Sequence, residues 1–74
     1  MAGENAAEGI RIQLNGEDFS LAPPATLAAL IAVRQPRPPF AVEVNKQLVR
    51  RPNYEKTDLH EGDQVEIVTL VGGG

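Results

Sequence analysis

The dipeptide Asn15-Gly16 stands between two stretches of alternating apolar and polar residues, and it dictates how the chain must start to fold. Before it, Ile10, Ile12 and Leu14 alternate with Arg11 and Gln13, the pattern of a strand with one buried face. After it, Glu17 to Leu21 returns with Phe19 and Leu21 in the same phase. Asn and Gly both tolerate positive φ, which a two-residue turn between twisted antiparallel strands demands. The sequence thus predicts a hairpin with Ile10, Ile12, Leu14, Phe19 and Leu21 on its inner face.

Ala22-Pro23-Pro24 stops the second strand, and Thr26 is placed to cap a helix. The inward face of that helix is Leu27, Leu30 and Ile31, at the i, i+3, i+4 spacing, and Ala28, Ala29 and Ala32 fill the other faces with strong helix formers. Pro36 ends it early, and Gln35 to Pro39 is a proline-rich connection unable to extend a helix or pair as a central strand. A third strand is expected over Phe40 to Val44, with Phe40, Val42 and Val44 inward and Ala41 and Glu43 outward. A turn at Asn45-Lys46 leads to a short strand at Gln47 to Val49. Arg50 to Thr57 reads as polar and irregular, anchored by Tyr54. Glu61-Gly62-Asp63 is a turn, and Gln64 to Val71 is the last strand, with Val65 and Ile67 in the core and Glu66, Val68 and Leu70 on the opposite face.

One helix can cover only one face of such a sheet, so the predicted class is α+β: a roll with a mixed sheet of four to five strands and one main helix. The expected organisation is a flexible leader at 1–9, a folded domain at 10–71 and a flexible glycine tail at 72–74. Val68 and Leu70, on the uncovered face, lead into that tail. Together with Glu66 and Val71 they form a candidate docking patch.

Seventy-four residues leave room for one small domain and no deep active site. The chain has no cysteine and a single histidine, His60, so a thiol nucleophile, a disulfide and a zinc site of Cys and His ligands are all excluded. Asp58, Glu61 and Asp63 read as a solvated loop rather than paired catalytic acids, and no intrinsic catalysis is expected. Ten acidic against seven basic residues give a net charge of -3, which argues against nucleic-acid binding and for partners with basic faces. Arg37, Arg50 and Arg51 read as scattered surface charge. The absence of a long apolar run or a signal-like start points away from membranes, and the expected location is the cytoplasm.

What the scaffold offers chemically is its end, Val71-Gly72-Gly73-Gly74. Glycine peptides can enter slots too narrow for a side chain. The carboxylate of Gly74 is ionised at neutral pH and a poor electrophile until another enzyme activates it, most simply as an acyl-adenylate.

The run Glu61-Gly62-Asp63-Gln64-Val65-Glu66-Ile67-Val68-Thr69-Leu70-Val71-Gly72-Gly73-Gly74, with Ile12 to Glu17 and Val42 to Val49 in support, resembles the β-grasp, ubiquitin-like sulfur carriers of the ThiS type. The resemblance spans Ile10 to Gly74. It implies that Gly74 is adenylated by an E1-like, ThiF-like enzyme that uses ATP, the carrier itself holding no cofactor. A cysteine desulfurase or other persulfide donor would then supply sulfur, and a thiocarboxylate on Gly74 would pass it to thiazole synthase, ThiG-like, for thiamine biosynthesis. Gly73 would be the second glycine of the family's terminal pair and Gly72 a spacer. The small subunit of molybdopterin synthase and a protein modifier joined through Gly74 share the terminal chemistry and stay open as alternatives, as does an interaction module with an inert tail.

Overall fold

A computed structural model describes residues 9–70. The opening hairpin forms as its turn chemistry requires: β1 (Ile10–Leu14) and β2 (Glu17–Leu21) pair antiparallel in the register Ile10↔Leu21, Ile12↔Phe19, Leu14↔Glu17. Asn15 and Gly16 take φ of 52° and 84°. Gly9 enters the hairpin at φ 112°, so close to β2 that a Cβ would sit 2.0 Å from the carbonyl oxygen of Leu21. Only glycine fits there.

Helix α1 (Leu27–Arg34) starts where Thr26 Oγ1 accepts a hydrogen bond from the Ala29 N–H at 3.1 Å. It ends at Gln35, whose left-handed conformation (φ 50°) directs its N–H to the Ile31 carbonyl, and Pro36 prevents continuation. Strands β3 (Phe40–Val44) and β4 (Gln47–Val49) form a second hairpin across Asn45-Lys46, both at positive φ. The segment expected to be irregular is ordered as a 3-10 helix over Arg51–Lys56. Pro52 favours the start of that helix, and its end is closed by the Thr57 N–H on the Tyr54 carbonyl. Strand β5 (Gln64–Thr69) is shorter than the alternating pattern suggests, although the Leu70 N–H still reaches the Pro39 carbonyl at 2.8 Å.

The five strands lie in the order β2-β1-β5-β3-β4, with β5 parallel to β1 and antiparallel to β3. This is a mixed sheet with one α-helix on one face, the β-grasp arrangement. Ile12, Leu14 and Leu21 from the first hairpin, Val42 and Val65 from the middle of the sheet, and Leu27 and Leu30 from α1 form one buried cluster, with Phe19, Ile31, Phe40, Val44 and Ile67 packed around it. Leu59 joins this core unannounced by any periodicity. It is drawn in because residues 57–59 run beside residues 25–27: the Leu27 N–H donates to the Thr57 carbonyl and the Leu59 N–H to the Ala25 carbonyl, each at 2.8 Å.

Candidate docking face on the open side of the sheet

Because α1 covers the inner face, alternate residues of each strand stand on the outer one. The register fixes their neighbours. On β5 and β3, Val68 is opposite Ala41 and Glu66 is opposite Glu43, while on β4 Leu48 is opposite Glu43. Directly opposed side chains share a face at about 4.5–5.5 Å between Cβ atoms. A row Leu48, Glu43, Glu66 therefore crosses three strands, beside a second row of Ala41 and Val68. The β1–β2 half of the same face is polar, with Gln13 opposite Gln64 on one side and Asp18 on the other.

The exposures mark the apolar half as unusual: Leu48 is 61%, Val68 47% and Leu70 50% exposed. Of the residues the sequence nominated for docking, Glu66, Val68 and Leu70 are brought together here. Val71 and the glycines Gly72, Gly73 and Gly74 lie outside the described residues. Leu48 was missed, yet its signal was present: in a short strand with Val49 packed on the core, its neighbour must face outward.

Two carboxylates in direct cross-strand opposition, Glu43 and Glu66, are unfavourable for folding. Among the described residues no base forms an ion pair with either, and Leu48, Ala41 and Val68 lie beside them, so the face is both acidic and sticky. The loop acids behave differently. Glu61 Oε1 accepts the Arg11 N–H at 3.0 Å; Asp63 Oδ2 accepts the His60 N–H at 2.8 Å and Oδ1 the Asn45 Nδ2 donor at 3.1 Å. They are more than a solvated loop, because they fasten the turn before β5 to β1 and to the β3–β4 turn. Among the described residues no group of three or more His, Cys, Asp or Glu side chains could hold a metal ion, and no helix is long and apolar enough to cross a membrane.

Residues 9–74 match the ThiS family. The chain belongs to that family. Its fold is similar to the crystal structure of the thiamine biosynthesis protein ThiS from Geobacter metallireducens, with a TM-score of 0.72 over 88% of this chain and 100% of that one at 22% identity. A protein named ycf40 from Porphyra purpurea is 35% identical over 68 residues, covering 90% of this chain and 96% of its own. A thiazole synthase of Magnetococcus marinus is 39% identical over 66 residues, and there the match spans 88% of this chain but only 20% of the larger protein. In this chain the open face just described includes the strand that precedes Gly74 in the sequence.

Proposed function

We propose that this ThiS-family chain is a sulfur carrier of thiamine biosynthesis and that Gly74 is the residue that carries the sulfur. The observation that carries the reading is the family match, which spans residues 9–74 and so includes β5 and Gly74. The presence of a similar segment within proteins named thiazole synthase supports thiazole formation as the destination, over molybdopterin or protein modification.

The chemistry follows from the terminus. One oxygen of the Gly74 carboxylate attacks the α-phosphorus of ATP on an E1-like enzyme, and pyrophosphate leaves. The terminal sulfur of a persulfide, loaded by a cysteine desulfurase or another donor, attacks the acyl-adenylate carbonyl and expels AMP. A thiol on the partner then cleaves the resulting acyl disulfide, its two electrons leaving a thiocarboxylate on Gly74 and a disulfide on the enzyme. Thiazole synthase draws the sulfur from that thiocarboxylate. Gly72 and Gly73 present no side chain to the activating enzyme's slot. Glu66, Val68, Leu70 and Val71 form the surface that each partner grips. The chain contributes presentation and recognition, with no catalysis or cofactor of its own, and the expected setting is the cytoplasm.

The test is intact-mass spectrometry after co-expression with a ThiF-like enzyme and a desulfurase. A shift equal to replacing one oxygen by sulfur, localised to Gly74 and lost on deletion of Gly73 and Gly74, is expected. An unshifted mass beside an adenylating enzyme that is active on another carrier, or Gly74 recovered in isopeptide bonds, overturns the reading.

A further inference from the structure

Strand β5 is central in the sheet, yet its second half has only one strand neighbour. Strand β1 ends at Leu14, opposite Val65, and turns away at Asn15-Gly16. The next position on that edge is closed by a side chain: Asn15 Oδ1 accepts the Ile67 N–H at 2.8 Å and Asn15 Nδ2 donates to the Ile67 carbonyl at 3.2 Å. Two residues on, Thr69 is opposite Phe40 in the register, between the Ala41↔Val68 pair and the Leu70–Pro39 hydrogen bond. Its own N–H and C=O therefore point away from β3, toward the edge that β1 has vacated. Among the described residues nothing pairs with them.

Grooves lie on both sides of this edge. On the helix side one is lined by Leu14, Asn15, Arg34, Pro36, Ile67 and Thr69. On the open side another is lined by Asn15, Glu66, Ile67, Val68 and Thr69. An unpaired backbone edge between two grooves is what an added strand needs, since its alternate side chains fall to the two faces. Arg34 has no carboxylate partner among the described residues and stands 5.9 Å from the centroid of the Phe19 ring.

We propose that the Thr69 edge of β5 is a strand-addition site for an extended segment of a partner protein, with acidic side chains toward Arg34 and apolar or basic ones toward Val68 and Glu66. A second copy of this chain fits poorly. Antiparallel pairing of β5 with β5 about a two-fold axis at Thr69 sets the two Arg34 side chains on the same side of the seam, like charge against like. The site lies five residues before Gly74, so its occupant holds the root of the tail. Nothing at this edge depends on the sulfur chemistry of Gly74.

The probe is the capped peptide Lys-Glu-Val-Glu-Val-Glu-Lys, compared with its charge-swapped form Glu-Lys-Val-Lys-Val-Lys-Glu. Binding is followed by amide NMR of the full chain. The first peptide should shift the Asn15, Ile67 and Thr69 resonances saturably and slow Thr69 amide exchange at least tenfold. Thr69→Pro removes the edge N–H without touching a β3 bond and should weaken binding at least tenfold while the spectrum stays folded. Arg34→Glu, on the surface of α1, should reverse the preference between the peptides. No slowing of Thr69 exchange with either peptide at millimolar concentration overturns the proposal. So does an unchanged preference in Arg34→Glu, or Thr69 protection that grows with protein concentration alone, which would make a second copy the occupant.

Discussion

Asn15 carries two separate duties, and substitutions can pull them apart. Its φ of 52° is a conformation that costs most L-residues about 1–2 kcal/mol, and its side-chain amide makes both hydrogen bonds to the Ile67 backbone. A net hydrogen bond contributes about 0.5–1.5 kcal/mol. Asn15→Ala loses both contributions and should destabilise the domain by about 2 kcal/mol, read as a lower urea midpoint at constant slope. Asn15→Gly keeps the backbone freedom and loses only the side-chain bonds, so it should fall between wild type and Ala. Asn15→Asp keeps the acceptor for the Ile67 N–H but sets a carboxylate oxygen against the Ile67 carbonyl that Nδ2 donates to, so it should lose more than Asn15→Gly. If Gly matches wild type, the bonds across to β5 contribute nothing and the turn alone sets the requirement. The turn was legible in the sequence because Asn-Gly is a local signal. The second duty was hidden, because it depends on a residue 52 positions away.

At the scale of elements, what could be read ahead was whatever repeats. Each strand announced itself by alternation, and the helix by Leu27 and Leu30 behind a capping threonine, so the inner face of the sheet matches the expected residues. Leu59 carries no such pattern, being a single apolar residue in a polar stretch, and its burial follows from two long-range backbone bonds that bring residues 57–59 beside the start of α1. The 3-10 helix at Arg51–Lys56 was likewise illegible: six residues without an apolar period give nothing to read. The outer face was half legible, since Val68 and Leu70 follow from alternation while the opposition of Glu43 to Glu66 requires the register. The packing equivalence of Leu59 and the helix core gives a test. Leu59→Ala should cost about 2–5 kcal/mol, comparable to Leu30→Ala, whereas Thr26→Ala removes one cap and should cost about 1 kcal/mol. In a domain this small, whose core supplies only about 3–5 kcal/mol, either leucine change should broaden or abolish the thermal transition while Thr26→Ala only lowers it. A mild effect of Leu59→Ala in calorimetry would mean that the segment from Arg51 to Leu59 is an appendage rather than part of the core.

For the whole molecule, the two sides of the sheet answer to different demands, and the acidic row shows it. The inner face holds the buried apolar cluster and serves stability. Leu48, Glu43, Glu66 and Val68 on the outer face leave apolar area in water and set like charges in opposition, an arrangement that costs about 0.2–1 kcal/mol per pair. A basic, partly apolar partner surface would relieve both defects at once, and complementarity of this kind acts strongly on the rate of encounter. Stability and partner engagement should then respond in opposite directions to one change. Glu43→Gln removes the repulsion and keeps the side-chain volume, so the unfolding midpoint should rise by an amount equivalent to a few tenths of a kcal/mol. The same variant should lower kcat/KM for adenylation by a ThiF-like enzyme by about threefold to tenfold, with the loss shrinking as salt is raised because exposed charges are screened within a Debye length. Val68→Asp should weaken the reaction further and, unlike Glu43→Gln, lower the midpoint by an amount equivalent to up to about 1 kcal/mol, since Asp is a poor strand former and adds a third acid beside Glu43 and Glu66. Should Glu43→Gln gain stability with adenylation untouched at low salt, the carboxylate pair plays no part in recognition. The docking surface would then have to be sought on the helix side or along the free edge of β5.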